Sequence, residues 1–303
     1  ERIHPDGIVH EGLSDHESLE PVPVELTGTC HYLQCARIMQ TFASVMGDKE
    51  NESKYAELAQ KLKSIVKAEF WDKPVKAKIN RQTLFSTLLY HDIIPEAEID
   101  AGTDSLRAAI KNGPSGHFST GIFGTKYVLE TLSEFASPVE VFTIVNSTEY
   151  PGWGHMIDRG ATTVWETWKE SDNTYSNCHP MFGTVTEWFY RWLGGIRPTE
   201  DEPGFKKFII SPTVPDELDF VNCSYNSPFG EIISNWKKDG SGSVQYRIKV
   251  PEGITALVDL EPGKIQKVEI IKENKPVKTI TPEGLNSGKF ELSGGEFLIT
   301  VTF

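Results

Sequence analysis

The hydrophobic period of the chain changes at Ile196-Arg-Pro-Thr-Glu-Asp-Glu-Pro-Gly204, a proline-rich and acidic stretch. Before it, apolar residues recur at helical spacing; after it, β-branched residues alternate. A chain with both periods must bury a helix stripe in one part and a strand face in the other, which predicts two domains, 1–198 and 199–303. With 303 residues, 38% of them hydrophobic and 11% aromatic, the chain can bury substantial cores.

Upstream of the change, Val24–Met46 carries Leu26, Leu33, Ile38, Phe42 and Val45 and stops at Gly47-Asp48. Ser53–Phe70 repeats Tyr55, Leu58, Leu62, Ile65 and Val66 at the same helical spacing. Thr83–Tyr90, Ala97–Lys111, Thr120–Phe135, Val139–Val145 and Phe182–Leu193 read as further helices, separated by breakers such as Asn112-Gly-Pro-Ser-Gly116. Helix following helix in this way predicts a ring of helical hairpins with a cleft at one end. Downstream, Phe205–Ile210, Asp219–Tyr225, Glu231–Lys237, Gly242–Val250, Thr255–Leu260, Lys267–Glu273, Val277–Thr281 and Glu296–Phe303 read as short strands between glycine-rich turns. That spacing predicts an antiparallel β-sandwich.

Several functions are disfavoured by composition. A formal charge of −13 without clustered Lys and Arg argues against a nucleic-acid partner, and no run of about 18 apolar residues exists to span a bilayer. A neutral substrate fits better. Cys30, Cys35, Cys178 and Cys223 are scattered, so free thiols are expected. His10, Glu11, Asp15, His16 and Glu17 could ligate a metal by residue type, but they lack regular spacing, and neither metal nor cofactor is expected. No secretory leader is visible, and the first residue is Glu1 rather than Met, so the compartment stays open.

The chemistry concentrates in Tyr150-Pro-Gly-Trp-Gly-His155 and Gly160-Ala-Thr-Thr-Val-Trp-Glu-Thr-Trp168. Glu166 sits there between two indoles in a glycine-punctuated segment. Aromatic faces stack on pyranose rings, and a carboxylate desolvated among them exchanges protons nearer neutrality. The plainer alternative is a Trp-rich core element carrying a solvated Glu.

Together with Ser176-Asn-Cys-His-Pro-Met-Phe-Gly-Thr-Val-Thr-Glu-Trp-Phe-Tyr-Arg-Trp-Leu-Gly-Gly-Ile-Arg-Pro198, this segment resembles glycoside hydrolase family 78, the α-L-rhamnosidases. Gly12-Leu-Ser-Asp-His-Glu-Ser-Leu19, Arg81-Gln-Thr83, His117-Phe-Ser-Thr-Gly-Ile-Phe-Gly124 and Pro203-Gly-Phe-Lys-Lys-Phe-Ile-Ile-Ser-Pro212 fit the same family in the same order. The resemblance implies the C-terminal part of an (α/α)6 barrel followed by a β-sandwich, and an inverting hydrolysis of terminal α-L-rhamnosides. It implies Glu166 as the general base and Asp15, His16, Trp153, Trp165 and His179 as substrate-binding residues. Thr162 and Thr163 would orient the segment. The chain departs from the family pattern in Cys178, where many members have Asn, and in His16, where many have Trp.

The family's general acid belongs to an Arg-Glu-Arg-x-Gly-Trp-like motif that this sequence does not contain. About eight helices are countable where the barrel needs twelve. The expectation is therefore a piece of a longer enzyme, inactive alone, with apolar faces on Thr27–Met46 and Thr83–Tyr90 seeking an N-terminal partner fragment or a second copy. A non-hydrolytic carbohydrate-binding or structural remnant is the alternative; another helical-barrel glycosidase, such as a glucoamylase-like enzyme, fits the motifs less well.

Overall fold

A computed structural model describes residues 5–74, 78–113, 116–170, 176–260, 267–272, 275–280 and 289–302. The chain divides into two compact units, Glu1–Val185 and Thr186–Phe303.

The first unit is helical. Helices α1 (Val24–Met46) and α2 (Lys49–Phe70) pack as a hairpin turned at Gly47-Asp48, where the Asp48 carboxylate caps α2 by accepting from Asn51 N at 3.1 Å. Helix α3 (Arg81–Tyr90) packs against both α4 (Ile99–Lys111) and α5 (Ile122–Phe135), and α6 (Pro138–Val145) follows on α5. The short helix α7 (Trp153–Asp158) comes next; α8 (Thr184–Trp188), running on as a π turn over Phe189–Leu193, begins at the end of this unit and continues into the second. Helix α2 begins four residues earlier than its periodicity predicts because Asp48 supplies the cap, and α7 is too short to show a period.

Helix α3 departs from expectation in burial. Gln82, Thr83, Leu84, Ser86, Thr87, Leu88 and Leu89 are all buried, so it offers no apolar face to a partner. The exposed apolar surface lies instead on the last turns of α1, where Phe42 is 60% exposed and Val45 and Met46 are 81% exposed, with Ile38 and Met39 beside them.

At the end of α3, His91 is buried against the rings of Tyr90 and Tyr127, and among the described residues neither of its ring nitrogens has a hydrogen-bond partner. Burial, with the charges of Arg37 and His31 adding to it, holds its pKa down to about 3, against 6.5 for an ordinary imidazole. Above the unfolded value the ring is neutral in both states and adds no pH dependence to stability. Below it the unfolded chain takes up a proton that the folded one refuses, so stability falls by roughly 1.4 kcal/mol per pH unit until the folded pKa is reached. Between pH 6.5 and pH 5 we expect His91→Phe to lose about 2 kcal/mol less than the parent chain. Denaturant unfolding of both proteins at the two pH values measures the difference, and equal losses would show that His91 is not the group responsible.

The second unit is a sheet of nine strands among the described residues: β1 (Ile196–Pro198), β2 (Lys207–Ile210), β3 (Phe220–Val221), β4 (Ser224–Ser227), β5 (Gly230–Lys238), β6 (Ser243–Asp259), β7 (Lys267–Lys272), β8 (Lys275–Ile280) and β9 (Lys289–Thr302). Its order is β1-β2-β6-β9-β7-β8, with β5 on the first half of β6 and β3 and β4 on β5. Pairing is antiparallel except between β2 and β6, which run parallel from Lys207↔Thr255 to Ile210↔Val258. Alternation reports which face is buried but not which way a neighbour runs, so the sequence could not distinguish this pair.

The two strands read as Gly242–Val250 and Thr255–Leu260 are one long β6. Pro251-Glu-Gly-Ile254 is a bulge between them, where the register with β9 shifts. Both halves of β6 and β9 face a single core built around Phe208, Ile232, Trp236, Ile248, Val258 and Ile299, in which Trp236 Nε1 donates to Leu193 O at 3.1 Å.

Candidate functional site

Three sequence-distant stretches of the first unit meet at the start of α5. Asp15 is 3% exposed, and both of its carboxylate oxygens are engaged: Oδ2 accepts from Thr83 Oγ1 at 2.6 Å and Gly121 N at 2.9 Å, and Oδ1 accepts from Phe123 N at 2.8 Å and Gly124 N at 3.1 Å. Burial pushes this carboxyl upward in pKa and the four donors oppose it. Asp15, expected to bind substrate, has both oxygens engaged by α3 and the N-terminus of α5, and it holds the loop that carries His16.

That loop is closed further by Ile122 N donating to His16 O at 2.9 Å. The contact requires glycine: a Cβ on Gly121 would lie within 2.7 Å of Asp15 O and nearer still to His16 O. We expect Gly121→Ala to destabilise the helical unit by on the order of 3 kcal/mol, measured by denaturant unfolding. An unchanged midpoint would mean that the loop yields freely.

Residues not singled out from the sequence complete this support. Asn80 caps α3, its Oδ1 accepting from Thr83 N, while its Nδ2 donates to Ser119 O at 2.8 Å and Ser18 Oγ at 2.9 Å. Gln82 spans His117 and Ser119, donating from Nε2 to His117 O and accepting at Oε1 from Ser119 N, each at 2.9 Å. The signal available in the sequence was amide and hydroxyl residues at inward-facing positions of a helix.

Beneath Glu166 lies an aromatic stack. Trp168 rests on Phe182 with ring centroids 3.9 Å apart and donates from Nε1 to Thr120 O at 2.8 Å. Trp153 meets Trp168 edge-on at 5.2 Å and donates from Nε1 to Phe182 O at 3.0 Å. Trp153 and Trp165, expected as stacking platforms, are 8% and 5% exposed, so their faces are covered by protein. In this bend-rich segment Trp165, Thr167 and Trp168 are buried, while Glu166 is partly exposed.

Glu166 is held by the 176–179 segment. Its N–H donates to Ser176 O at 2.9 Å, its Oε2 accepts from Ser176 N at 2.8 Å, and His179 N donates to Val164 O at 2.8 Å. Thr163 Oγ1 donates to Asn177 O alongside. The remaining oxygen, Oε1, faces His16 Nε2 at 3.8 Å, and the Glu166 side chain keeps 22% exposure. His179 Nδ1 accepts from Met181 N at 3.1 Å, which assigns the proton of the neutral ring to Nε2 and leaves that nitrogen a donor. The structure thus brings Glu166 and His16 together, and His179 lies on the 176–179 segment that bonds the Glu166 segment. Asp15, Trp153 and Trp165 are buried.

Among the described residues no three His, Cys, Asp or Glu side chains converge as a metal site. His10 turns to Asp6 at 2.8 Å and Glu25 at 3.5 Å, away from the set weighed from the sequence. No helix among them is long and apolar enough to cross a membrane.

Residues 10–193 match the model of the bacterial alpha-L-rhamnosidase six-hairpin glycosidase domain, and residues 195–275 match the bacterial alpha-L-rhamnosidase C-terminal domain. The chain is 28% identical over 278 residues to an alpha-L-rhamnosidase of Alteromonas sp. (strain LOR), covering 88% of this chain and 29% of that protein. The structure of alpha-L-rhamnosidase from Dictyoglumus thermophilum superposes with a TM-score of 0.87 at 27% identity, over 100% of this chain and 35% of that one. A Streptomyces avermitilis alpha-L-rhamnosidase, solved with L-rhamnose, shares the fold at a TM-score of 0.84 and 23% identity, over 99% of this chain and 29% of that one. The chain spans about a third of the length of these relatives.

Proposed function

Because the chain belongs to the bacterial α-L-rhamnosidase six-hairpin glycosidase family, we propose that it carries the general-base side of a rhamnosidase active site and that the whole protein hydrolyses terminal α-L-rhamnosides. The observation that supports this most is the posture of Glu166. One oxygen is fixed by a backbone N–H, the other faces His16, and among the described residues the carboxylate is not ion-paired to Lys or Arg and keeps 22% exposure.

A carboxylate fixed through one oxygen can polarise a water through the other. His16 and the Nε2–H of His179 supply hydrogen bonds for sugar hydroxyls or for that water, while Asp15, Trp153 and Trp165 position the loops. The general acid comes, in this reading, from a segment outside this chain, so the chain alone is inactive. Inversion requires the two carboxyl groups to stand roughly 6.5–9.5 Å apart, with the water between Glu166 and the anomeric carbon. The helical residues up to about 193 act as the C-terminal portion of the barrel and the residues from β1 onward as the sheet domain, so the boundary falls a few residues before the expected 198/199. The test is the configuration of the first product: the full-length protein acting on an aryl α-L-rhamnoside should release β-L-rhamnose, read by proton NMR before mutarotation. Release of the α-anomer would overturn a base role for Glu166.

The apolar end of α1 bears on partners. Phe42, Val45 and Met46 make an association surface for an N-terminal segment of the same protein or, in the isolated chain, for a second copy. The chain by itself should therefore sediment as more than a monomer, and Phe42→Glu with Val45→Glu should return it to a monomer. A parent chain that is monomeric at high concentration would dismiss this surface.

A further inference from the structure

A second feature of the helical unit involves none of the residues assigned above to the reacting centre. Helix α4 presents Ser105, Ala108 and Ala109, with its C-cap residue Asn112, along one side of a depression. The space they leave is an open trough of about 540 Å³, walled on the α3 side by Arg81 and Phe85 and at its end by Leu19-Glu20. A second cavity of about 340 Å³ shares Arg81 and Phe85 and continues to Trp71–Pro74. Each volume falls in the range of small-ligand sites.

The lining chemistry restricts the occupant. Glu20 and Arg81 put both signs of charge on one rim, so neither an anion nor a cation gains a consistent field. Asn112 offers an amide that both donates and accepts, Ser105, whose hydroxyl donates to Ala101 O at 2.8 Å, offers an acceptor, and Phe85, half-buried, offers part of a ring. Planar polar side chains around a ring are suited to a neutral polyhydroxylated ligand, whose CH face covers the ring while its hydroxyls bond the rim. The trough adjoins the Asn80–Ser119 contact of the helical unit. Arg81 and Gln82 follow Asn80, whose amide binds Ser119, and Ser119 itself lines the trough.

We propose that this trough is an ancillary binding site for a neutral oligosaccharide, which holds part of a glycan away from the bond to be cleaved. Only the choice of sugar rests on the rhamnosidase reading. The probe is a neutral rhamno-tetrasaccharide titrated into the chain, followed by amide NMR shifts at Asn112 and Gly113. L-Rhamnose and cellotetraose are run in parallel, and Glu166→Gln protein is titrated in the same way.

Saturable shifts at Asn112 and Gly113 that persist in Glu166→Gln are expected. Ala109→Trp, which fills the trough, and Asn112→Ala should each weaken the tetrasaccharide by about tenfold or more. Unaltered thermal unfolding checks that Ala109→Trp folds. Equal affinity in both variants, or shifts confined to the Glu166 loop, would overturn the site. Binding of cellotetraose but not the rhamno-tetrasaccharide would keep a saccharide trough and count against the rhamnose preference. Loss of hydrolysis in Glu166→Gln leaves the trough binding untouched, so the two readings fail separately.

Discussion

Replacing Glu166 by Gln in the full-length protein should lower turnover of an aryl α-L-rhamnoside by about 10²–10⁴-fold, the usual contribution of a positioned general base. The amide is nearly isosteric, so the backbone pairing of Glu166 with Ser176 should survive, and the melting temperature should stay close to that of the parent. Binding should change much less than turnover, because the missing function is proton abstraction and not contact. His16→Ala offers a graded comparison. Its ring stands 3.8 Å from Glu166 Oε1, so its removal should reduce turnover less than loss of the carboxylate itself. Near-parental turnover in Glu166→Gln would dismiss the base assignment outright, whatever the other residues do.

Asp15→Ala should destabilise the helical unit by about 3–5 kcal/mol, because three buried N–H groups at the start of α5 and the Thr83 hydroxyl lose their acceptor at once. Asp15→Asn is a sharper test than its size suggests. An amide has only one acceptor atom, and its NH2 would face donors, so most of the loss should remain although the shape is kept. Denaturant unfolding measures both. If Asp15→Asn matches the parent in stability while hydrolysis of the full-length protein collapses, the residue acts on substrate after all, and its place as a support is wrong. If stability falls and turnover falls with it in proportion to the folded fraction, the support role stands.

The sequence by itself determined the elements whose physical cause is local. Helix α1 ends where Gly47-Asp48 says it must, and the change of period after Ile196 separates helix from strand, because 3.6-residue and 2-residue repeats bury different faces. The position of Glu166 was left open by the sequence, where a carboxylate among stacking indoles and a Trp-rich core element with a solvated Glu were both readable; in the fold the indoles are buried and Glu166 is partly exposed. What the sequence could not determine was which polar residues are spent inside. Asp15, read as substrate-binding, and Asn80, not singled out at all, look alike as polar loop residues. Only the approach of α3, α5 and the 12–19 loop decided that both are interior.

Pairing direction was decided the same way. The parallel contact of β2 with β6, and the continuity of β6 through Pro251-Glu-Gly-Ile254, depend on which strand lies alongside, and alternation of side chains is identical in either case. The exposed faces followed too: α3 packs on α4 and α5 and hides its apolar side, whereas the last turns of α1, at the hairpin with α2, leave Phe42, Val45 and Met46 in solvent. Composition and period specify what each segment can bury; what it does bury is set by the segments that arrive around it from elsewhere in the chain.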